Sequence, residues 1–141
     1  EVTPPALNVL RSPLFQPTKG VVTNLVLYTK GFSIRIDHHR YRIRTLNRIM
    51  IEANRKKLTK VHPEVACLMA TVLSGDDIKE MSQTHLICMH DPIPSPSLVG
   101  MMPCYLGISW LGSPGKRGSI HGFPRFPHED FNGIPVLGEK V

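Results

Sequence analysis

Seven histidines and three cysteines have the widest chemical repertoire in this chain, and their spacing decides how much of it they can use. A zinc site needs ligands at short, recurring separations. The sequence contains no CxxC, no HExxH and no His-x3-His. His38-His39 reads as a solvated turn, and His85 and His90 flank an apolar run and mark its wet ends. Cys67, Cys88 and Cys104 are odd in number, widely spaced and set among apolar residues. They read as buried, reduced thiols of a cytosolic or nuclear protein. Ser74 precedes a glycine but lacks the G-x-S-x-G elbow of a nucleophilic serine. Asp76, Asp77, Glu129 and Asp130 are the available carboxylates for acid–base work. Asp76 and Asp77 open a short helix, where acids complement the helix dipole without any catalytic role. The stretch GSPGKRG lacks the phosphate-loop spacing and leads into no helix, so Lys116 and Arg117 read as part of an exposed loop. This inventory points away from an enzyme, a metal centre, a cofactor or a small-molecule substrate.

One feature is left, and it is electrostatic. Between Arg35 and Lys60 the chain carries nine basic residues, Arg35, Arg40, Arg42, Arg44, Arg48, Arg55, Lys56, Lys57 and Lys60, against Asp37 and Glu52. That segment nets +7 in a chain of net +6, so the remainder nets −1. The basicity is local. Arg40, Arg42 and Arg44 alternate with Tyr41 and Ile43, which places three guanidinium groups on one strand face at about 7 Å intervals. Like charges so placed repel unless a polyanion lies against them. Nucleic acid would release counterions there, and an acidic membrane would gain about 1 kcal/mol per basic residue. Tyr41 is the sole aromatic within the patch, so backbone or headgroup attraction is expected ahead of base reading.

The elements that must position these residues follow from periodicity. VVTNLVLY (21–28) is β-branched and apolar and predicts a strand. Phe32, Ile34 and Ile36 alternate with polar residues, as do Tyr41 and Ile43, which predicts two strand segments around the Asp37-His38-His39 turn. The period changes at Thr45, an N-cap residue for a helix through Leu46, Ile49, Met50 and Ala53 to about Leu58. On that helix Asn47, Arg48, Glu52 and Arg55 face outward, and Arg48 and Glu52 stand four apart as a weak pair. Pro63 opens a second helix with Val65, Leu68, Met69, Val72 and Leu73 as its buried stripe. Gly75 ends that helix, and Ser74 with Asp77 forms a capping box for the next. THLICMH (84–90) and CYLGISWLG (104–112) predict two more strands. DPIPSPS (91–97) predicts a proline-rich loop.

The expected organisation is an extended Pro-rich lead-in over 1–20, a compact domain over 21–111 and a Gly/Pro-rich arm over 112–141. The expected fold is α+β, a small antiparallel sheet with two main helices packed on one face. No apolar run approaches the roughly 18 residues of a membrane span, and no secretion signal is recognisable.

Taken in order, GFSIRI, YRIRTLNRIM, EVACLMATVLSGDDI and THLICMH describe a basic strand segment, a helix, a basic loop, a second helix closing on glycine, and a strand. Over residues 24 to 90 this order resembles the core of rhabdovirus matrix proteins. The resemblance implies a non-enzymatic α+β virion protein that self-associates and bridges an acidic membrane surface and the viral nucleocapsid or its RNA. It also implies residence in the virion and in the host cytoplasm or nucleus. The PPxY and P(T/S)AP motifs used in budding are absent. The alternative reading is a ribosomal or ribonucleoprotein subunit whose same basic residues bind RNA phosphates. Such proteins usually extend their basicity into their tails, whereas residues 1–20 here hold Arg11 and Lys19 alone.

Overall fold

The computed structural model describes residues 2–15, 25–27, 33–36, 39–42, 45–74, 76–77, 85–98, 100–109, 119–131 and 133–139. In chain order the elements are α1 (Pro4–Leu10), β1 (Leu25–Leu27), β2 (Ser33–Ile36), β3 (His39–Arg42), α2 (Leu46–Arg55) and β4 (Leu58–Thr59). There follow α3 (Glu64–Val72), β5 (His85–Cys88), β6 (Ile93–Ser97), β7 (Gly100–Ser109), β8 (Ser119–Pro124) and β9 (Ile134–Glu139). The class is α+β. A curled seven-stranded sheet runs β1-β9-β5-β7-β6, with β8 added on β7 and β4 on β9, while β2 and β3 form a separate antiparallel ribbon.

Two strands organise the sheet. β7 is ten residues long; its first half pairs with β6, and its second half lies between β5 and β8. β9 pairs in parallel with β5 and antiparallel with β1 and β4. Gly138 is in register with both Leu25 and Thr59, so β1 and β4 flank β9 from opposite edges. The sheet is therefore mixed, not purely antiparallel as expected.

Alternation along the strands sorts the core into two layers. Leu86, Cys88, Cys104, Leu106, Ile108, Ile120, Ile134 and Val136 face Ala6 and Val9 of α1 and Val65, Ala66, Met69 and Ala70 of α3. Ile87, Met89, Tyr105, Phe123 and Leu137 face the other way, toward Ile49 and Ala53 of α2 and toward Phe131. The two long helices thus cover opposite faces, which corrects the expectation that both pack on one. The continuous apolar runs in β5 and β7 are the physical reason, because a strand buried on both sides needs cover on both sides.

Four local expectations change as well. The Pro-rich lead-in contains α1: Pro4 and Pro5 occupy its first turn, where no N–H is needed. α1 lies so close to β8 that a Cβ on Gly122 would come within 2.8 Å of Pro5. The expected arm supplies β8, β9 and the buried Phe123, Phe131 and Leu137, so its described parts belong to the core. DPIPSPS contains β6, a strand at the end of the sheet path, where proline is tolerated. α3 buries Val65, Ala66, Met69 and Ala70 and leaves Leu68 58% and Val72 76% exposed, because its alanines let it lie close to the sheet along a rotated stripe.

Other expectations are met. Thr45 Oγ1 accepts from the Arg48 N–H at 3.4 Å and caps α2. Ser74 N–H donates to Asp77 Oδ2 at 2.9 Å and Asp77 N–H to Ser74 Oγ at 3.1 Å, a reciprocal capping box. Gly75, the turns at Lys30-Gly31 and Asp37-His38, and Trp110 to Gly118 lie outside the described residues.

Candidate polyanion-binding surface

The eight basic residues of this set that are described fall on three pieces of structure. In the ribbon, Arg35 is the register partner of Arg40, and Arg42 that of Ser33. Positions 35, 40 and 42 therefore share one face of the β2–β3 pleat, with Ile34 and Tyr41 on the other. Arg35 joins the alternation that the sequence assigned to Arg40, Arg42 and Arg44; Arg44 itself lies outside the described residues.

Arg48 and Arg55 belong to α2. Arg48 is half-buried in the first turn, and its Nε is enclosed without a hydrogen-bond partner among the described residues. The expected Arg48–Glu52 pair gives way to Arg55–Glu52 at 3.0 Å, with Glu52 largely buried and Arg55 exposed. Arg55 also lies in the last turn, where a cation complements the helix dipole.

Lys56, Lys57 and Lys60 lie beyond the helix. Lys56 caps it, and its N–H reaches the Ala53 and Glu52 carbonyls. Lys57 takes a left-handed backbone with φ 56°, which turns the chain directly into β4, so the helix stops short of Leu58. Both lysines are exposed, and among the described residues neither has an acidic partner. Lys60 pairs with Asp91 at 2.8 Å, and that hydrogen bond holds the Asp91 carboxyl below its ordinary range. Lys60 and Asp91 border an open cavity of about 500 Å3 floored by Leu14, Val61 and Ile93, with His62 beside them.

Burial sets the protonation of the cysteines and of two of the histidines. Burial pushes the Cys88 thiol up to about 12 and Cys104 up to about 11, and it raises Cys67 too, so all three stay protonated and poorly nucleophilic. His90 is fully buried. Its Nε2 accepts the Leu106 N–H at 2.8 Å, so its proton sits on Nδ1, which donates to the Asp91 carbonyl at 2.7 Å. His90 thus fastens the crossing from β5 to β6 onto β7, and burial lowers its pKa. His85 and His121 stand 6.2 Å apart on the α2 face, beside Phe123. Burial lowers the His85 pKa, reinforced by His121 and Arg125.

The sequence did not reveal that the turn at Phe126 to His128 lies against α2. The Leu46 N–H donates to the Pro127 carbonyl at 3.2 Å. Proline and aromatic residues in an otherwise irregular stretch gave no hint of that contact.

Among the described residues no helix is long and apolar enough to cross a membrane. No protein-family model matches this sequence, and neither curated proteins nor solved structures show a significant match to it.

Proposed function

We propose that this protein is a non-enzymatic structural protein of the viral-matrix kind, which self-assembles and bridges an acidic membrane and a ribonucleoprotein through its basic surface. The observation that carries this reading is the concentration of +7 between Arg35 and Lys60 in a chain whose remainder nets −1. The pair Lys56 and Lys57, exposed and without acidic partners among the described residues, supports it. The exposed Leu68 and Val72 on α3 support self-association, since apolar side chains on an outer helix face favour a protein neighbour. Residence in the virion and in the host cytoplasm or nucleus follows from the same reading.

Co-sedimentation with vesicles, with and without phosphatidylserine, tests the membrane arm, and binding to structured RNA tests the other. Phosphatidylserine-dependent vesicle binding that weakens in the Lys56→Glu/Lys57→Glu variant is the expected result. Failure to bind acidic vesicles, together with tight salt-dependent binding to structured RNA, would overturn it in favour of a ribosomal or ribonucleoprotein subunit.

A further inference from the structure

Tyr41 is the sole aromatic of the basic patch in sequence, and the fold brings a second aromatic segment against the start of α2. Residues 125–130 form a tight turn between β8 and β9, fastened at several points. Phe126 N–H donates to Glu129 Oε1 at 2.9 Å, and Glu129 N–H to the Phe126 carbonyl at 3.0 Å. Arg125 binds the Pro124 carbonyl through Nη1 at 2.7 Å and the Asp130 carbonyl through Nε at 3.3 Å. The Leu46 N–H, in the first turn of α2, holds the Pro127 carbonyl. On this fixed turn the Phe126 and His128 rings are exposed, with planes within 4° of parallel and centroids 6.0 Å apart. That separation lies in the offset-stacking range, which leaves part of each ring face to solvent. Phe126 keeps 36% of its surface open to water on this turn.

The charge around this ledge is divided. The turn carries Arg125 against Glu129 and Asp130, so it does not attract phosphate by itself. The exposed cations come from the end of α2, where Lys56 and Lys57 follow the helix roughly 15 Å from Leu46 by the helix rise. A ring ledge for bases, flanked by cations for phosphates, is the arrangement that single-stranded nucleic acid requires. A lipid headgroup has no flat apolar face to stack.

Resting on the polyanion reading above, we propose that Phe126 and His128 form a base-stacking ledge for single-stranded RNA, with Lys56 and Lys57 holding phosphates further along the strand. The ribonucleoprotein side of the bridge is then read through exposed bases, and the acidic membrane through charge alone.

The test uses the whole chain, a labelled mixed-sequence single-stranded RNA, the same-length abasic oligonucleotide, and phosphatidylserine vesicles. Phe126→Ala is expected to weaken RNA binding roughly 5- to 150-fold, the range for losing one stacked base. Its salt dependence should stay unchanged, because no phosphate contact is lost. Phe126→Leu, which keeps apolar volume without a ring, should be as weak, and Phe126→Tyr should bind as wild type. Vesicle binding should be the same for all. The abasic strand should bind wild type about as weakly as RNA binds Phe126→Ala. Equal wild-type affinity for RNA and the abasic strand overturns the ledge, as does full recovery in Phe126→Leu. Absence of RNA binding by wild type, with vesicle binding intact, also overturns the ledge while sparing the membrane arm. Loss of neither RNA nor vesicle binding in Lys56→Glu/Lys57→Glu would instead sink the broader polyanion reading.

Discussion

The two faces of the sheet are built from different materials. The face under α1 and α3 is aliphatic and small: alanines on the helices meet leucine, isoleucine, valine and cysteine on the strands. The face under α2 holds Tyr105, Phe123 and Phe131, with His85 and His121 nearby and His90 against Tyr105. The first can be closed by helices alone, because small side chains let backbones approach. The second needs a helix, a turn and a buried phenylalanine to fill it, and it accepts polar compromises. The Tyr105 hydroxyl and Arg48 Nε have no hydrogen-bond partners among the described residues. The α2 part of the candidate surface lies over this second, less economical face.

The sharpest way to break the contrast is to truncate one fully buried side chain in each layer, a ring in one and a thiol in the other. Phe131 packs its ring edge against Tyr105 at 4.9 Å and is fully buried. Phe131→Ala should cost about 3–5 kcal/mol in urea unfolding. Cys88→Ala, on the aliphatic side, should cost about 1 kcal/mol. Equal losses would mean that the layers do not differ in how they depend on bulk.

A smaller effect is expected at Gly107. An added Cβ would run into the Leu86 carbonyl and come within 2.8 Å of the Phe123 ring. Gly107→Ala should therefore destabilise by about 1–3 kcal/mol, through crowding of the aromatic layer. Thermal unfolding matching wild type would show that this layer is loosely packed.

Acid should act mainly through the α2 side. His90 and His85 have folded pKa values depressed below the ordinary 6.5 by burial. Above that value both folded and unfolded chains hold neutral imidazoles, and the stability is fully present. Below it the unfolded chain takes up protons first, so stability falls as pH drops toward the folded values. Urea midpoints at pH 7.5, 6.5 and 5.5 should decline in that order, and His90→Gln should shrink the decline to what His85 contributes. A flat profile in wild type would show these rings to be less enclosed than the fold indicates.

The surface should respond least. Lys57→Gly relieves a left-handed backbone and should stabilise by about 0.5–1 kcal/mol, while removing an exposed cation that has no acidic partner among the described residues. A variant that is more stable and weaker at binding polyanion would show that lysine is kept there for its charge. Lys60→Gln, which breaks an exposed ion pair with Asp91, should cost under about 1 kcal/mol and only at low salt.

Local signals carried well from sequence to structure. Thr45, and Ser74 with Asp77, cap as their chemistry requires, and the alternation around Ile34 and Tyr41 is a paired ribbon. Partnership over distance did not carry. Nothing in DPIPSPS announces that Ile93 will stand opposite Cys104, because edge pairing supplies hydrogen bonds that local propensity does not record. The α3 stripe was misjudged because periodicity ranked leucine above alanine, whereas close approach to a sheet favours alanine. At the candidate surface the basic residues were legible as charge. Their uneven availability was not, since Asp91 reaches Lys60 only through the turn after β5.

The proline pattern of β6 bears on how copies of this chain can join. Pro94 and Pro103 stand opposite each other, and neither has an N–H, so they form a pair that exchanges no ladder bonds. The Pro103 carbonyl turns the other way and accepts the Arg125 N–H at 3.0 Å. By the same alternation Pro94 and Pro96 direct their missing donors toward the outer margin of the sheet. An approaching strand would find acceptors there and nothing to accept from. Growth by strand addition is therefore closed at this margin. A second copy that docks at this margin must do so through side chains, not by extending the ladder.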